Sequence, residues 1–216
     1  MESVLPLLVG GDFMKKRIFL LAMVLMLTVC SVYAAQTVRQ QAALAEKLVR
    51  LHVVAASDSE HDQAVKLRVR DAVLQCVEKL VEGCTDAGQA RARIAQQLPQ
   101  IETAANRCLQ ACGEQKSACV SLRNEQFPTR TYETFALPAG VYAALRVEIG
   151  EAEGHNWWCV VYPALCTPAA AEDFEETAQA GGFSEEETQW LTESKPQYTL
   201  RFKSLEYLQK LFSLFR

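Results

Sequence analysis

The chain has 216 residues, half of them hydrophobic and 22% charged, with only 10 glycines and 7 prolines. That length suits one domain with tails, and that composition excludes a wholly disordered, collagen-like or low-complexity chain. The net charge of −4 leaves no global footprint for nucleic acid, so no nucleic-acid partner is expected. Three histidines leave little room for His-based metal chemistry, whereas eight cysteines are many for a reducing cytosol and point to export.

The amino terminus agrees with export. Residues 1–13 lack leader character and read as a start-site extension, with Met14 as the better start. Met14-Lys15-Lys16-Arg17 is a short basic stretch, and Ile18 to Cys30 is an apolar run broken only by Thr28. Val32-Tyr33-Ala34 then places small or aliphatic residues where a signal peptidase reads. Residues 14–34 are therefore expected to be a signal peptide cut between Ala34 and Ala35, with an uncleaved membrane anchor as the alternative. Cleavage removes Cys30, and eight cysteines less that one leaves seven. An odd number outside the cell leaves at least one thiol unpaired or bridged to another chain.

Residues 35–47 read as an Ala-rich stalk. Leu51, Val53 and Ala55 alternate with Arg50, His52 and Val54, which is a strand. Ser57 with Glu60, and Ser59 with Asp62, have capping-box spacing. Val65, Val69, Ala72, Val73, Cys76, Val77 and Leu80 then form one helical stripe that ends at Gly83. Thr85 or Asp86 caps a second stripe from Ala90 to Cys112. Pro99 inside it predicts a kink, or two helices with Pro99 in the first turn of the second. Ala118, Val120 and Leu122 begin a second strand. After an irregular Phe127–Tyr132 connection, Val141 to Ile149 give the cleanest alternation in the sequence. Gly150 to Gly154 make a hairpin loop, and Trp157 to Tyr162 form the returning strand. The expected fold is α+β: about four strands, mainly antiparallel, with two or three helices on one face. One core is expected over residues 48–166. Residues 167–216 read as an acidic linker, with a short helix capped at Ser184, an edge strand over 198–203 and an amphipathic helix from Leu205 to Phe215.

Chemistry-bearing patterns are sparse. Cys159 follows His155 by four residues, but it falls inside a predicted strand, where packing explains a thiol better than catalysis does. Cys108 and Cys112 share an apolar helical stripe rather than forming half of a tight Cys-x2-Cys metal pair. No catalytic residue, metal or cofactor is expected. Cys159 and Cys166 bracket a turn at Pro163 and are candidates for a disulfide. The helical Cys76, Cys84, Cys108 and Cys112 are either bridged or buried free thiols. Trp157 and Trp158 are adjacent on a strand and face opposite sides, so one anchors the core and the other is open to a partner.

Several stretches taken together carry a resemblance. They are Leu51-His-Val-Val-Ala-Ala-Ser-Asp-Ser59, Asp62-Gln63 with Lys66, Val69-Arg-Asp-Ala-Val73, Phe127-Pro-Thr-Arg130, Leu137-Pro-Ala-Gly-Val-Tyr142, Ala144-Leu-Arg-Val147 and Gly154-His-Asn-Trp-Trp-Cys159 through to Cys166. From about residue 48 to 166 the chain resembles the stage II sporulation protein R family of endospore-forming bacteria. His52, the run Val161-Tyr-Pro-Ala164 and the cysteines at 76, 84, 108, 112 and 119 depart from the family pattern. The resemblance implies an exported, non-enzymatic signal in the space between forespore and mother cell. Its partner would be the membrane-embedded sporulation aspartic protease of the mother cell, which processes the precursor of sigma factor E. No contact residues carry over. The contact surface is expected at Arg130, Glu151, Glu153, His155, Asn156, Trp157 and Trp158. The alternative is an extracytoplasmic module that binds cell wall or a membrane surface.

Overall fold

A computed structural model describes residues 9–165 and 173–193, with side chains from residue 15 onward. The chain divides into two compact units, 1–41 and 42–216. The first unit is most of helix α1 (Val9–Glu46), whose segment from Lys15 is long and apolar enough to cross a membrane. Its apolar side chains, Ile18 to Val32 among them, are exposed.

The second unit is built on a four-stranded sheet of β1 (Val49–Val54), β2 (Ala118–Phe127), β5 (Gly140–Ile149) and β6 (Asn156–Tyr162), in the order β2-β5-β1-β6. A separate two-stranded ribbon pairs β3 (Arg130–Thr131) with β4 (Ala136–Leu137). Two of the three sheet pairings are antiparallel, β2 with β5 and β1 with β6. The third, β1 with β5, is parallel, with Leu51 opposite Leu145, so the sheet is mixed. A parallel pair needs a long crossover, and here the chain between β1 and β5 supplies the helical layer.

That layer is α2 (Glu60–Val81), α3 (Ala87–Gln96) and α4 (Leu98–Ala111). Ser59 caps α2 by accepting from the Asp62 amide, and Asp86 caps α3 by accepting from the Gln89 amide. The helical pattern broken by Pro99 resolves as two helices, with Pro99 in the first turn of α4, where its missing N–H is harmless. Val65, Val69, Val73 and Val77 of α2 bury one stripe with Ala90 and Ile94 of α3 and Ile101, Ala105 and Leu109 of α4. They pack on Val49, Leu51, Val53, Leu145, Val147, Cys159 and Val161, one face of the sheet.

The opposite face is covered over part of its length. Phe127, Tyr142, Ala144 and Val160 pack there against Phe135 and Leu137 of the ribbon segment. Phe174 and Ala178 of α5 (Phe174–Ala180), Phe183, and Leu191 of α6 (Glu185–Glu193) complete this second core. The acidic composition of residues 173–193 masks these apolar anchors. The helix expected at Ser184 is α6, with the Ser184 hydroxyl accepting from the Glu187 amide at 3.2 Å. The strand expected over 198–203 and the amphipathic helix after Leu205 lie outside the described residues.

Candidate partner-binding surface

The candidate surface is organised by β6. In an extended strand neighbouring side chains point to opposite faces. Trp157 therefore lies on the helical side and Trp158 on the other.

Trp157 is 36% exposed, and the Arg70 guanidinium of α2 stacks over its ring at 4.3 Å. Arg70 is itself fixed by Asp71, with Nε to Oδ1 at 2.8 Å. Trp158 is half-buried. It stacks face to face on His52 at 3.8 Å and meets Phe127 edge-on at 4.7 Å, while the exposed Arg130 lies 5.5 Å from its ring centre. Trp158 is thus the core-facing ring, and Trp157 is the open one.

The loop from Gly150 to His155 is clamped rather than free. Gly154 donates to Ala55 O at 2.9 Å, Glu153 donates to Ala56 O, and Lys66 Nζ donates to His155 O at 3.0 Å. The His155 amide donates to Asp58 at 2.6 Å, and its ring pairs with the same carboxylate. A Cβ on Gly154 would sit 2.2 Å from the Ser57 carbonyl oxygen, so only glycine fits this approach. Glu151 and Glu153 project into solvent.

The structure therefore brings together Arg130 with Trp158, and Asn156 with Trp158 through His52. Trp157 lies on the other face. Glu151, Glu153 and His155 belong to the clamped loop at the start of the strand. Cys159 is disulfide-bonded, which removes it as a nucleophile; Cys166, its expected partner, lies outside the described residues. Cys76, Cys84, Cys108, Cys112 and Cys119 are free. Burial raises the Cys76 and Cys108 thiols, so neither is an activated thiolate. His61, Asp62 and Glu114 place three ligand-type atoms within 4.8 Å, but the Lys116 ammonium sits among them, 2.5 Å from Asp62. That cluster reads as an ion-pair network. Lys116 and the Ser57 hydroxyl hold the Asp62 carboxyl below its ordinary range.

Two buried residues beside this surface have no place in the contact set expected from the sequence. His52 is 2% exposed. Arg146 Nη1 donates to its Nδ1 at 2.9 Å and to Glu125 Oε1 at 2.6 Å. Nδ1 also lies 2.9 Å from Glu125 Oε1, and Nε2 lies 2.6 Å from Asn156 Oδ1. Burial lowers the imidazole's pKa, against the opposing pull of Asn156 and Glu125. The ring is neutral at pH 7.

Arg50 is the other. It is 0% exposed, with its guanidinium 4.1 Å from the Phe127 ring centre and 4.8 Å from that of Tyr142. Nη2 donates to the Tyr132 hydroxyl at 2.7 Å, while Nε and Nη1 reach no acceptor. Each aromatic stack contributes about 0.5–2 kcal/mol. Removing the ion from water costs several kcal/mol, which the two rings and the Tyr132 hydroxyl offset, while two of its nitrogens stay unpartnered. Alternation in β1 put both residues on the polar side of the strand, but it carried no sign of what covers that side.

The matching family model is that of stage II sporulation protein R, over residues 45–172. The chain belongs to the stage II sporulation protein R family. The family's match ends within the segment just after β6, so it includes the whole sheet and all three helices that pack on it. The stage II sporulation protein R of Bacillus subtilis (strain 168) is 35% identical over 133 residues, which is 62% of this chain and 59% of that protein. The chain thus matches less than two thirds of that relative's length. No solved structure matches it significantly.

Proposed function

We propose that this chain is an exported sporulation signal that activates the membrane-embedded aspartic protease of the mother cell, which then processes the precursor of sigma factor E. Family membership carries this reading. The exposed apolar helix at the amino end supports delivery across or into a membrane. The domain acts as a ligand: it binds the protease's extracytoplasmic face better in the active state than in the inactive one, and that difference in affinity is what shifts the equilibrium. Its compartment is the space between forespore and mother cell, either released or held by the leader helix.

The test is co-expression of residues 14–216 with the sporulation protease and the sigma factor E precursor in a non-sporulating bacterial host. Precursor cleavage is expected only when the chain and its leader are both present. Exported, folded chain without cleavage refutes the reading, and a wall or vesicle pulldown then examines the binding-module alternative.

A further inference from the structure

Arg50 carries two nitrogens, Nε and Nη1, with no acceptor, beside the rings of Phe127 and Tyr142. Its one hydrogen bond goes to Tyr132, whose hydroxyl also lies 3.4 Å from the Trp158 carbonyl oxygen. The same Tyr132 lines a groove of about 710 Å³ with Phe135, Trp157, Trp158 and Leu165, and Arg70, Asp71, Glu78 and Glu133 stand along its polar side. Tyr132 is therefore the partition between an open aromatic groove and the buried Arg50 cation. The charged side chain that acts on Arg50 from nearby is Arg130, of the same sign. Arg130 lies exposed over Trp158 at the rim and makes no ion pair among the described residues. Tyr132 sits in the turn of a ribbon whose strands are two residues each, too short to be held by their own hydrogen bonds.

We propose that Tyr132 covers a carboxylate socket: an aspartate or glutamate of the partner protein, borne on an apolar segment that lies in the groove, displaces the Tyr132 hydroxyl and pairs with Arg50. Arg130 draws the anion to the rim. A planar carboxylate matches the planar guanidinium fork, whereas a tetrahedral phosphate would have to shed far more water to enter. A bidentate carboxylate would take Nη2 from Tyr132 together with one of the two orphaned nitrogens and relieve the cost of the bare cation, which makes this contact a strong one at the centre of an interface. The proposal rests on reading the chain as a protein ligand.

The experiment takes the full chain with Arg50→Met, and separately with Arg130→Gln, through the precursor-cleavage assay and through thermal unfolding. Arg50→Met is expected to raise the melting temperature, by about 2–4 °C. It should also reduce cleavage about thirtyfold or more, as loss of a buried hot-spot contact does. Arg130→Gln should weaken cleavage mainly at low salt, with the fold unchanged. Unchanged cleavage by Arg50→Met overturns the socket. So does a fall in its melting temperature together with lost cleavage, because Arg50 is then merely structural. Should the wild-type chain itself fail to drive cleavage, the protease reading fails first. The socket is then judged with acetate as the probe: a saturable change in tryptophan emission in the wild type that is absent in Arg50→Met supports it, and a change equal in both overturns it.

Discussion

His52 is a neutral imidazole wedged between Trp158 and a three-way contact of Glu125, Arg146 and Asn156. Burial depresses its pKa below the unfolded value of 6.5, so the folded state resists a proton that the unfolded chain accepts. The sign follows from proton linkage. Stability is full above pH 6.5 and declines as pH falls from there through the lower folded pKa, because the unfolded state binds more protons over that window. The melting temperature is therefore expected to drop between pH 7.5 and pH 5.5, and His52→Gln, which keeps a polar contact with Asn156, should flatten that drop. A profile equally steep in the variant would remove His52 as its cause. Asp62 does not confuse the reading, since its lowered pKa acts only below its ordinary 3.8. At this scale the sequence was least legible. Arg50 and His52 sit where strand alternation marks a polar side, and residue type alone suggests water there. The ribbon and the two late helices cover that side instead, and a cover made by distant segments leaves no periodic trace.

At the scale of elements, the sheet strands and the first helices were legible because each carries its own period. The valine stripe of α2 and the alternation of β5 are local patterns with one solution each. Pro99 also marked the α3–α4 junction correctly. The two-residue strands β3 and β4 were not legible, since they are too short for alternation to show. Helix α5 was hidden by its acids, with only Phe174 and Ala178 facing inward. The hairpin expected at the β5–β6 loop is not one: β1 lies between the two strands and pairs with both, so the loop crosses over the end of β1, where it clamps on Ala55, Ala56 and Asp58. That clamp gives a direct expectation. Gly154→Ala forces a methyl onto the Ser57 carbonyl and should cost about 2–3 kcal/mol, measured by denaturant unfolding. A cost near zero would mean that the loop lifts away freely, and His155 would then lose its fixed place beside Asp58.

At the scale of the whole molecule, the α+β class and a long apolar segment at the amino end followed from composition and the order of elements, and the mixed sheet refines the expectation of a mainly antiparallel one. The candidate surface was legible only in part: the two tryptophans were correctly set on opposite faces, while the residues that pack against them come from α2, β1, β2 and β3. The leader carries its own expectation. Leu21→Arg with Val24→Arg places two cations in the apolar run, at about 2.5–3.5 kcal/mol each for membrane insertion. Fractionation should then find the chain retained in the cytoplasm, and precursor cleavage should cease. Normal export of this variant would show that the segment is not the export signal.

The central place of β1 has a consequence for how the chain is delivered. β1 is the first strand to emerge from a ribosome or a translocation channel, yet its neighbours are β5 and β6, the last two strands of the sheet. Until Ala143 and its successors arrive, Val49 has nothing to pair with, and the helices between them have no floor to pack on. Contacts this distant along the chain form late and slowly. The sheet therefore closes only after most of the domain has emerged, so the chain stays unfolded and threadable until its last strands arrive.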